Sequence, residues 1–69
     1  MQDKTYKLIE IVGVSATSIE DAVQTAISRA SQSLENLDWF EVIEARGSIQ
    51  DGKVNEFQVK IKVGFRLMP

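Results

Sequence analysis

The sequence of 69 residues contains no cysteine and no histidine. Without cysteine the chain can form neither a disulfide nor a thiolate nucleophile, and without histidine it lacks the commonest transition-metal ligand and the commonest general base. It also has no glycine-rich phosphate loop, nucleophile elbow or metal-ligand spacing. We therefore predict that the protein is not an enzyme, and we assign no metal-binding residue.

The sequence also lacks an excess of charge of one sign and any long apolar run. Its eight basic and ten acidic residues are interspersed and give a net charge of -2. This balance provides no basic patch for nucleic acid or for an anionic membrane. No run approaches the length that spans a bilayer, and the N-terminal stretch lacks the apolar core of a signal peptide. We expect a soluble cytoplasmic protein with no nucleic-acid or membrane partner.

The strongest positive signal is a β-hairpin. Asp51-Gly52 lies between two runs of alternating apolar and polar residues, and Asp-Gly is a preferred two-residue hairpin turn. Such a turn fixes the register of the two strands. The predicted cross-strand pairs are Gln50 with Lys53, Ala45 with Gln58, Glu41 with Lys62, Phe40 with Val63 and Trp39 with Gly64.

This register gives the hairpin one apolar and one polar face. The apolar face is predicted to contain Phe40, Val42, Phe57, Val59, Ile61, Val63, Phe65 and Leu67. The polar face is predicted to contain Trp39, Glu41, Ala45, Gln58, Lys60 and Lys62. A slip of one residue would move Phe40 and Val42 to the polar face, so the hydrophobic pattern and the turn favour the same pairing. Glu44 is predicted on the face opposite Glu41, which leaves no carboxylate dyad.

A strand and a helix are predicted before the hairpin. The strand, from Thr5 to Val14, is apolar on both faces. The helix runs from Ser18 to about Glu35 and carries an apolar stripe on one side. Two N-caps fit equally well: Thr17 with Glu20, or Ser18 with Asp21. The predicted order is β-α-β-β, and residues 1–69 are expected to form a single domain.

The predicted lengths indicate self-association. A helix of about 17 residues rises roughly 25 Å at 1.5 Å per residue. A strand from Asp38 to Gln50 extends about 43 Å at 3.3 Å per residue. One helix cannot cover this hairpin, and the first strand has a second apolar face. We therefore predict a homo-oligomer whose hairpins pack between subunits.

Four blocks of the sequence carry a further signal: Tyr6-Lys7-Leu8-Ile9-Glu10-Ile11-Val12-Gly13, Asn36-Leu37-Asp38-Trp39-Phe40-Glu41-Val42, Arg46-Gly47 and Phe57-Gln58-Val59-Lys60-Ile61-Lys62-Val63-Gly64-Phe65. Together they resemble the dodecins, a family of small flavin-binding proteins. The resemblance spans nearly the whole chain. It implies an α+β fold in which a three-stranded antiparallel sheet wraps around one amphipathic helix, and twelve copies that form a hollow homododecamer.

The resemblance also implies a ligand site. Dodecins bind flavins as stacked pairs between tryptophans of neighbouring subunits. Trp39 matches the stacking residue, and Gln58 matches the residue that reads the pyrimidine edge of the ring. Arg46 and Arg66 match positions that can meet the phosphate groups of flavin mononucleotide (FMN) or coenzyme A. In the predicted register Arg46 lies on the face opposite Gln58, so it would need a bulge, sheet curvature or another subunit to reach the ligand.

The resemblance leaves two functions open. The first is non-enzymatic storage and sequestration of riboflavin or FMN, in which the stacked indole also quenches the excited flavin. The second is a structural or storage shell whose main ligand is coenzyme A or another phosphate compound.

Overall fold

The computed structural model describes residues 3–68. Its elements are β1 (Tyr6–Ser15), α1 (Ile19–Ala30), β2 (Leu37–Gln50) and β3 (Lys53–Arg66). The three strands form one antiparallel sheet in the order β1-β3-β2, so β3 is the central strand. The predicted β-α-β-β order and α+β class are confirmed.

The short connection between β1 and α1 is organised by two serines. The buried Ser15 hydroxyl donates a hydrogen bond to Asp21 Oδ2 at 2.7 Å and accepts one from the Thr17 backbone nitrogen at 2.9 Å. Ser18 is the N-cap, and its Oγ accepts a hydrogen bond from the Asp21 nitrogen at 2.9 Å. Of the two caps that the sequence allows, the chain uses Ser18. The Asp21 carboxylate also lies in the first turn, where the helix dipole favours negative charge.

The helix is shorter than predicted. It ends at Ala30, and the prediction of a helix to Glu35 is wrong. Serine competes for backbone hydrogen bonds and weakens helix propagation. Ser31 does so here, because its hydroxyl donates to the Ser28 carbonyl oxygen at 2.8 Å. Asn36, further along the connection, adopts the left-handed conformation with φ of 63°, which asparagine tolerates.

The core lies between α1 and the inner face of the sheet, and it consists of small and β-branched residues. Its buried members are Ala22, Ala26, Val59, Ile61 and Val63. Gly13 permits close approach of β1 to the helix, because a Cβ at Gly13 would overlap the Ala22 carbonyl oxygen. The helix packs on β1 and β3, and this arrangement leaves β2 without a helix over it.

Large apolar surfaces remain exposed in the single chain. The 12 residues of α1 rise about 18 Å, whereas the 14 residues of β2 extend about 46 Å. The far end of the hairpin is therefore uncovered, and Ile49 is 78% exposed. The other face of β1 exposes Leu8, Val12 and Val14. These findings confirm that one helix cannot cover the hairpin and that the first strand has two apolar faces.

The predicted hairpin register is correct at both ends and wrong in the middle. The pairs Gln50 with Lys53, Glu41 with Lys62, Phe40 with Val63 and Trp39 with Gly64 are present. Ala45, however, pairs with Val59 and not with Gln58. Asn55 is an extra residue on β3, and Ile43 is an extra residue on β2. These two irregularities shift the register by one residue and then restore it.

The shifted segment changes which side chains share a face. Arg46 pairs with Gln58, and Glu44 pairs with Lys60. Directly paired residues of neighbouring strands point to the same side of a sheet. Arg46 therefore lies on the face of Gln58, and the prediction that it lies on the opposite face is wrong. Glu44 likewise shares this face with Glu41, which corrects the prediction that they lie on opposite faces.

The cap of α1 gives a first testable prediction. Replacing an N-cap serine by alanine costs about 0.5–2 kcal/mol, because a backbone N–H of the first turn loses its partner. Ser18→Ala should therefore lower the melting temperature, measured by circular dichroism at a fixed protein concentration. Ser28→Ala is the control, because Ser28 is exposed inside the same helix and alanine has the higher helix propensity. Equal melting temperatures for the two variants would contradict this role of Ser18.

Candidate ligand-binding face of the sheet

The predicted ligand residues all lie on the side of the sheet that faces away from α1, which we call the outer face. Its large side chains come from all three strands. They are Tyr6, Leu8, Glu10, Val12 and Val14 of β1, Trp39, Glu41, Glu44 and Arg46 of β2, and Gln58, Lys60, Lys62 and Arg66 of β3. The face therefore combines an apolar strip along β1 with mixed charges along β2 and β3.

Trp39 lies against the backbone of β3 at Gly64. A Cβ added to Gly64 would lie 2.6 Å from the indole Cζ2 and 2.8 Å from Nε1. The indole thus occupies the space that a side chain at this position would fill. Trp39 is nevertheless 43% exposed in the single chain. The result is an accessible aromatic surface that packs against the backbone of β3.

Tyr6 and Asp38 also contact each other beside this indole, and the sequence did not indicate them as site residues. The Tyr6 hydroxyl donates a hydrogen bond to Asp38 Oδ2 at 2.7 Å. The Tyr6 ring meets the Trp39 ring edge to face, with centroids 6.0 Å apart and an interplanar angle of 62°. This contact depends on the pairing of β1 with β3, which the hairpin signal alone does not predict.

The pair also affects the proton affinity of the phenol. The hydrogen bond to Asp38 raises the pKa of Tyr6, since it stabilises the protonated hydroxyl. Partial desolvation and the negative charge of Asp38 act in the same direction, whereas the positive charge of Arg66 opposes them. Arg66 pairs with Tyr6 across β1 and β3, so it lies at the same end of the outer face.

Arg46 and Gln58 form a second cluster in the middle of the sheet. Arg46 Nε donates a hydrogen bond to Gln58 Oε1 at 2.9 Å, and Gln58 Nε2 donates to Glu56 Oε1 at 3.0 Å. Arg46 Nη1 also lies 3.5 Å from Glu44 Oε1, in an exposed ion pair. The Gln58 amide has two acceptor sites and two N–H donors. One acceptor site and one donor are therefore still available to a ligand.

The two clusters are well separated within one chain. Gly64, against which Trp39 lies, is six residues from Gln58 along β3, or about 20 Å at 3.3 Å per residue. The structure thus brings Arg46 to Gln58, and it places Arg66 two residues beyond Gly64. It does not bring Trp39 and Gln58 together in one chain.

A metal site and a membrane-spanning helix are both absent from the described residues. Within residues 3–68, no group of three or more acidic side chains is arranged to hold a metal ion. In the same part of the chain, no helix has both the length and the apolar character needed to cross a membrane.

The chain thus has a β-α-β-β fold with an exposed aromatic surface and uncovered apolar faces, and comparison with known proteins identifies its family. Residues 5–68 match the family model of dodecin. The chain therefore belongs to the dodecin family, whose members bind and store small ligands as oligomers.

Individual relatives agree with this assignment. The chain is 52% identical over 64 residues to dodecin of Thermus thermophilus, with 93% of each sequence covered. It is 33% identical over 64 residues to calcium dodecin of Mycobacterium tuberculosis, covering 93% of this chain and 90% of that protein. The structure of dodecin from Streptomyces coelicolor superposes with a TM-score of 0.93 at 49% identity, covering 100% of this chain and 99% of that one.

The raised pKa of Tyr6 can be measured directly, because the chain contains a single tyrosine. A spectrophotometric titration should give a pKa above the usual value of about 10. Asp38→Ala should lower it toward that value, whereas Glu35→Ala, which removes a carboxylate from the α1–β2 connection, should leave it unchanged. The folded protein holds the phenol proton more tightly than the unfolded chain. The associated stability is therefore present below about pH 10 and is lost as the pH rises through the folded pKa. Equal pKa values in the wild type and Asp38→Ala would contradict the assignment.

Proposed function

We propose that this protein stores and sequesters a flavin, either riboflavin or FMN, without catalysing a reaction. The observation that carries the proposal is the half-exposed Trp39 indole, supported by Gly64 on the outer face of a dodecin-family chain. An isoalloxazine ring needs a flat aromatic partner, and indole is the largest that proteins provide. A stacked indole can also donate an electron to the excited flavin, and this transfer would limit flavin photochemistry.

The hydrogen-bonding groups of Gln58 also fit a flavin. The pyrimidine edge of a flavin presents neighbouring hydrogen-bond donors and acceptors, and Gln58 has one free acceptor site and one free donor after its contacts with Arg46 and Glu56. Because Trp39 and Gln58 are about 20 Å apart along the sheet, one ring cannot reach both within a chain. We propose that each flavin lies between neighbouring subunits, with two flavins stacked between the Trp39 side chains.

We further propose that twelve copies assemble into a hollow shell. The apolar surfaces left open in one chain support this assembly. An open groove of about 380 Å³ lies between α1 and β2, and its apolar lining includes Ile19, Val23, Ile27, Phe40 and Val42. An exposed apolar surface of this kind is typical of a subunit interface.

Native mass spectrometry tests the assembly. The expected species is a dodecamer at micromolar protein concentration, because the exposed apolar surfaces are buried only between copies. Phe40→Asp, which adds a charge to the groove, should shift the population toward smaller species. A stable monomer or dimer in the wild type would exclude the shell.

The flavin proposal predicts a specific role for Trp39. Stacking of a base on an aromatic side chain contributes roughly 1–3 kcal/mol, as measured by alanine substitution in nucleic-acid complexes. Trp39→Ala should therefore weaken riboflavin binding at least about tenfold, since 1.4 kcal/mol corresponds to a factor of ten. Quenching of flavin fluorescence measures the affinity. Trp39→Phe keeps a smaller ring and should give an intermediate loss.

The oligomer should survive these substitutions, since Trp39 is assigned to the ligand and not to subunit packing. Native mass spectrometry of the ligand-free variants provides this control. Unchanged riboflavin affinity in Trp39→Ala, or dissociation of the ligand-free variant, would show that the indole is a packing residue.

A second candidate function is the binding of coenzyme A or another phosphate compound. The observation that favours it is the position of Arg46 and Arg66 on the outer face, where guanidinium groups can bind phosphate oxygens through two parallel hydrogen bonds. FMN also carries a phosphate and riboflavin does not. The arginines therefore distinguish ligands by the phosphate and not by the ring.

Matched substitutions separate the two ligand classes. Arg46→Ala and Arg66→Ala should weaken FMN and coenzyme A binding and leave riboflavin nearly unaffected, and added salt should reduce the difference. A hydrogen bond to a charged group contributes roughly 1.5–3 kcal/mol, or about tenfold or more in affinity. Arg29→Ala, at the end of α1, is the control.

Gln58→Ala should have the complementary effect, since all flavins share the ring edge. It should weaken riboflavin and FMN binding to a similar extent. Isothermal titration of each variant with riboflavin, FMN and coenzyme A measures these differences. Equal losses for riboflavin and FMN in the arginine variants would show that the arginines bridge carboxylates such as Glu44 and do not bind phosphate.

A further inference from the structure

We infer that Tyr6 and Asp38 act as a positioning pair that fixes the orientation of the Trp39 indole on the outer face. The inference extends the proposed flavin site by two residues, but its first test needs no ligand. The proposed function enters only where the effect on flavin affinity is predicted.

The hydrogen bond between Tyr6 and Asp38 connects the two edges of the sheet. Tyr6 lies on β1 and Asp38 on β2, the two edge strands, with the central strand β3 between them. Neighbouring strands are about 4.8 Å apart, so the two backbones are separated by about 10 Å. The Tyr6 side chain must pass over β3 to make its 2.7 Å hydrogen bond. Gly64, which pairs with Leu8 and Trp39, contributes no side chain of its own to this end of the outer face.

An irregularity in β2 places Asp38 beside the indole. Leu37 pairs with Phe65 and Trp39 pairs with Gly64, so Asp38 is an extra residue between the two pairs. In a regular strand, neighbouring side chains point to opposite faces. Here the Asp38 carboxylate accepts its hydrogen bond from Tyr6, which belongs to the outer face along with Trp39. The irregularity therefore aligns two consecutive side chains on one side.

The pair and Gly64 together restrain the indole from two directions. Gly64 supports the indole from the sheet, and the Tyr6 ring contacts it edge to face with centroids 6.0 Å apart. The hydrogen bond to Asp38 holds the Tyr6 ring in that position. Restraining a side chain before a ligand binds reduces the entropy that binding must remove. An exposed indole with this support is a preorganised stacking surface.

The sequence provides a selective probe of this arrangement, because Trp39 is the only tryptophan. Time-resolved fluorescence anisotropy of the ligand-free protein measures the local motion of this indole alone. Tyr6→Phe removes the hydroxyl donor, and Asp38→Ala removes the acceptor. Each should increase the amplitude of the fast, subnanosecond decay and weaken the near-ultraviolet circular dichroism of the indole.

Three comparisons separate positioning from a general structural effect. Asp38→Asn retains an acceptor oxygen and should keep the anisotropy decay of the wild type. Glu35→Ala removes a nearby carboxylate that does not contact Tyr6 and should also leave it unchanged. The double variant Tyr6→Phe with Asp38→Ala should show no more motion than either single variant, because the two residues act through one hydrogen bond.

The same variants also test the effect of the pair on riboflavin affinity. Tyr6→Phe keeps the ring and should keep the proposed oligomer, and it should weaken riboflavin binding about two- to tenfold, the range expected for one hydrogen bond. Wild-type anisotropy in both Tyr6→Phe and Asp38→Ala would overturn the inference. Loss of folding or assembly in both would also overturn it, since the pair would then support the subunit and not the indole. Increased indole motion in a protein whose wild type does not bind riboflavin would uphold the positioning pair and reject the flavin function.

Discussion

A single short helix covers only part of a long sheet, and this limit on coverage determines much of the structure. Among the described residues, the buried apolar core consists of five small or β-branched residues, all close to the helix. A core of this size contributes little net stability to a chain of 69 residues. The apolar residues beyond the helix become stabilising only when another surface covers them. In the proposed shell, folding of the subunit and assembly are therefore energetically linked, and the measured stability depends on protein concentration.

The two ends of the hairpin could be predicted from the sequence, because independent signals agree there. The Asp-Gly turn fixes one end, and the burial pattern around Phe40 and Val63 fixes the other. The register in the middle of the hairpin could not be predicted from these signals, because two extra residues on different strands shift the pairing by one residue and then restore it. Val42 and Ile43 are consecutive apolar residues that interrupt the alternation, and this interruption is a local indication of the irregularity on β2.

The candidate site was predictable where it depends on the hairpin alone. Trp39 and Gln58 were assigned to one face, and the structure agrees. Arg46 was assigned to the wrong face, because its orientation depends on the extra residue Ile43. The contact of Tyr6 with Asp38 was beyond the sequence argument, because it requires the pairing of β1 with β3 over a long separation in the chain. The end of α1 was misplaced because the apolar spacing continues to Leu34 although the serines stop the helix at Ala30.

The extra residues Asn55 and Ile43 also affect how this sequence can diverge. Between them the pairing is displaced by one residue, and from Val42 to Trp39 it again follows the turn. Each of these residues is unpaired, so deleting it would remove its bulge and leave the pairs on both sides unchanged, with Trp39 still opposite Gly64. Asn55 and Ile43 are therefore positions at which the hairpin can change length without changing which residues face each other. A descendant that loses either one would keep its tryptophan over Gly64 and its arginine beside Gln58.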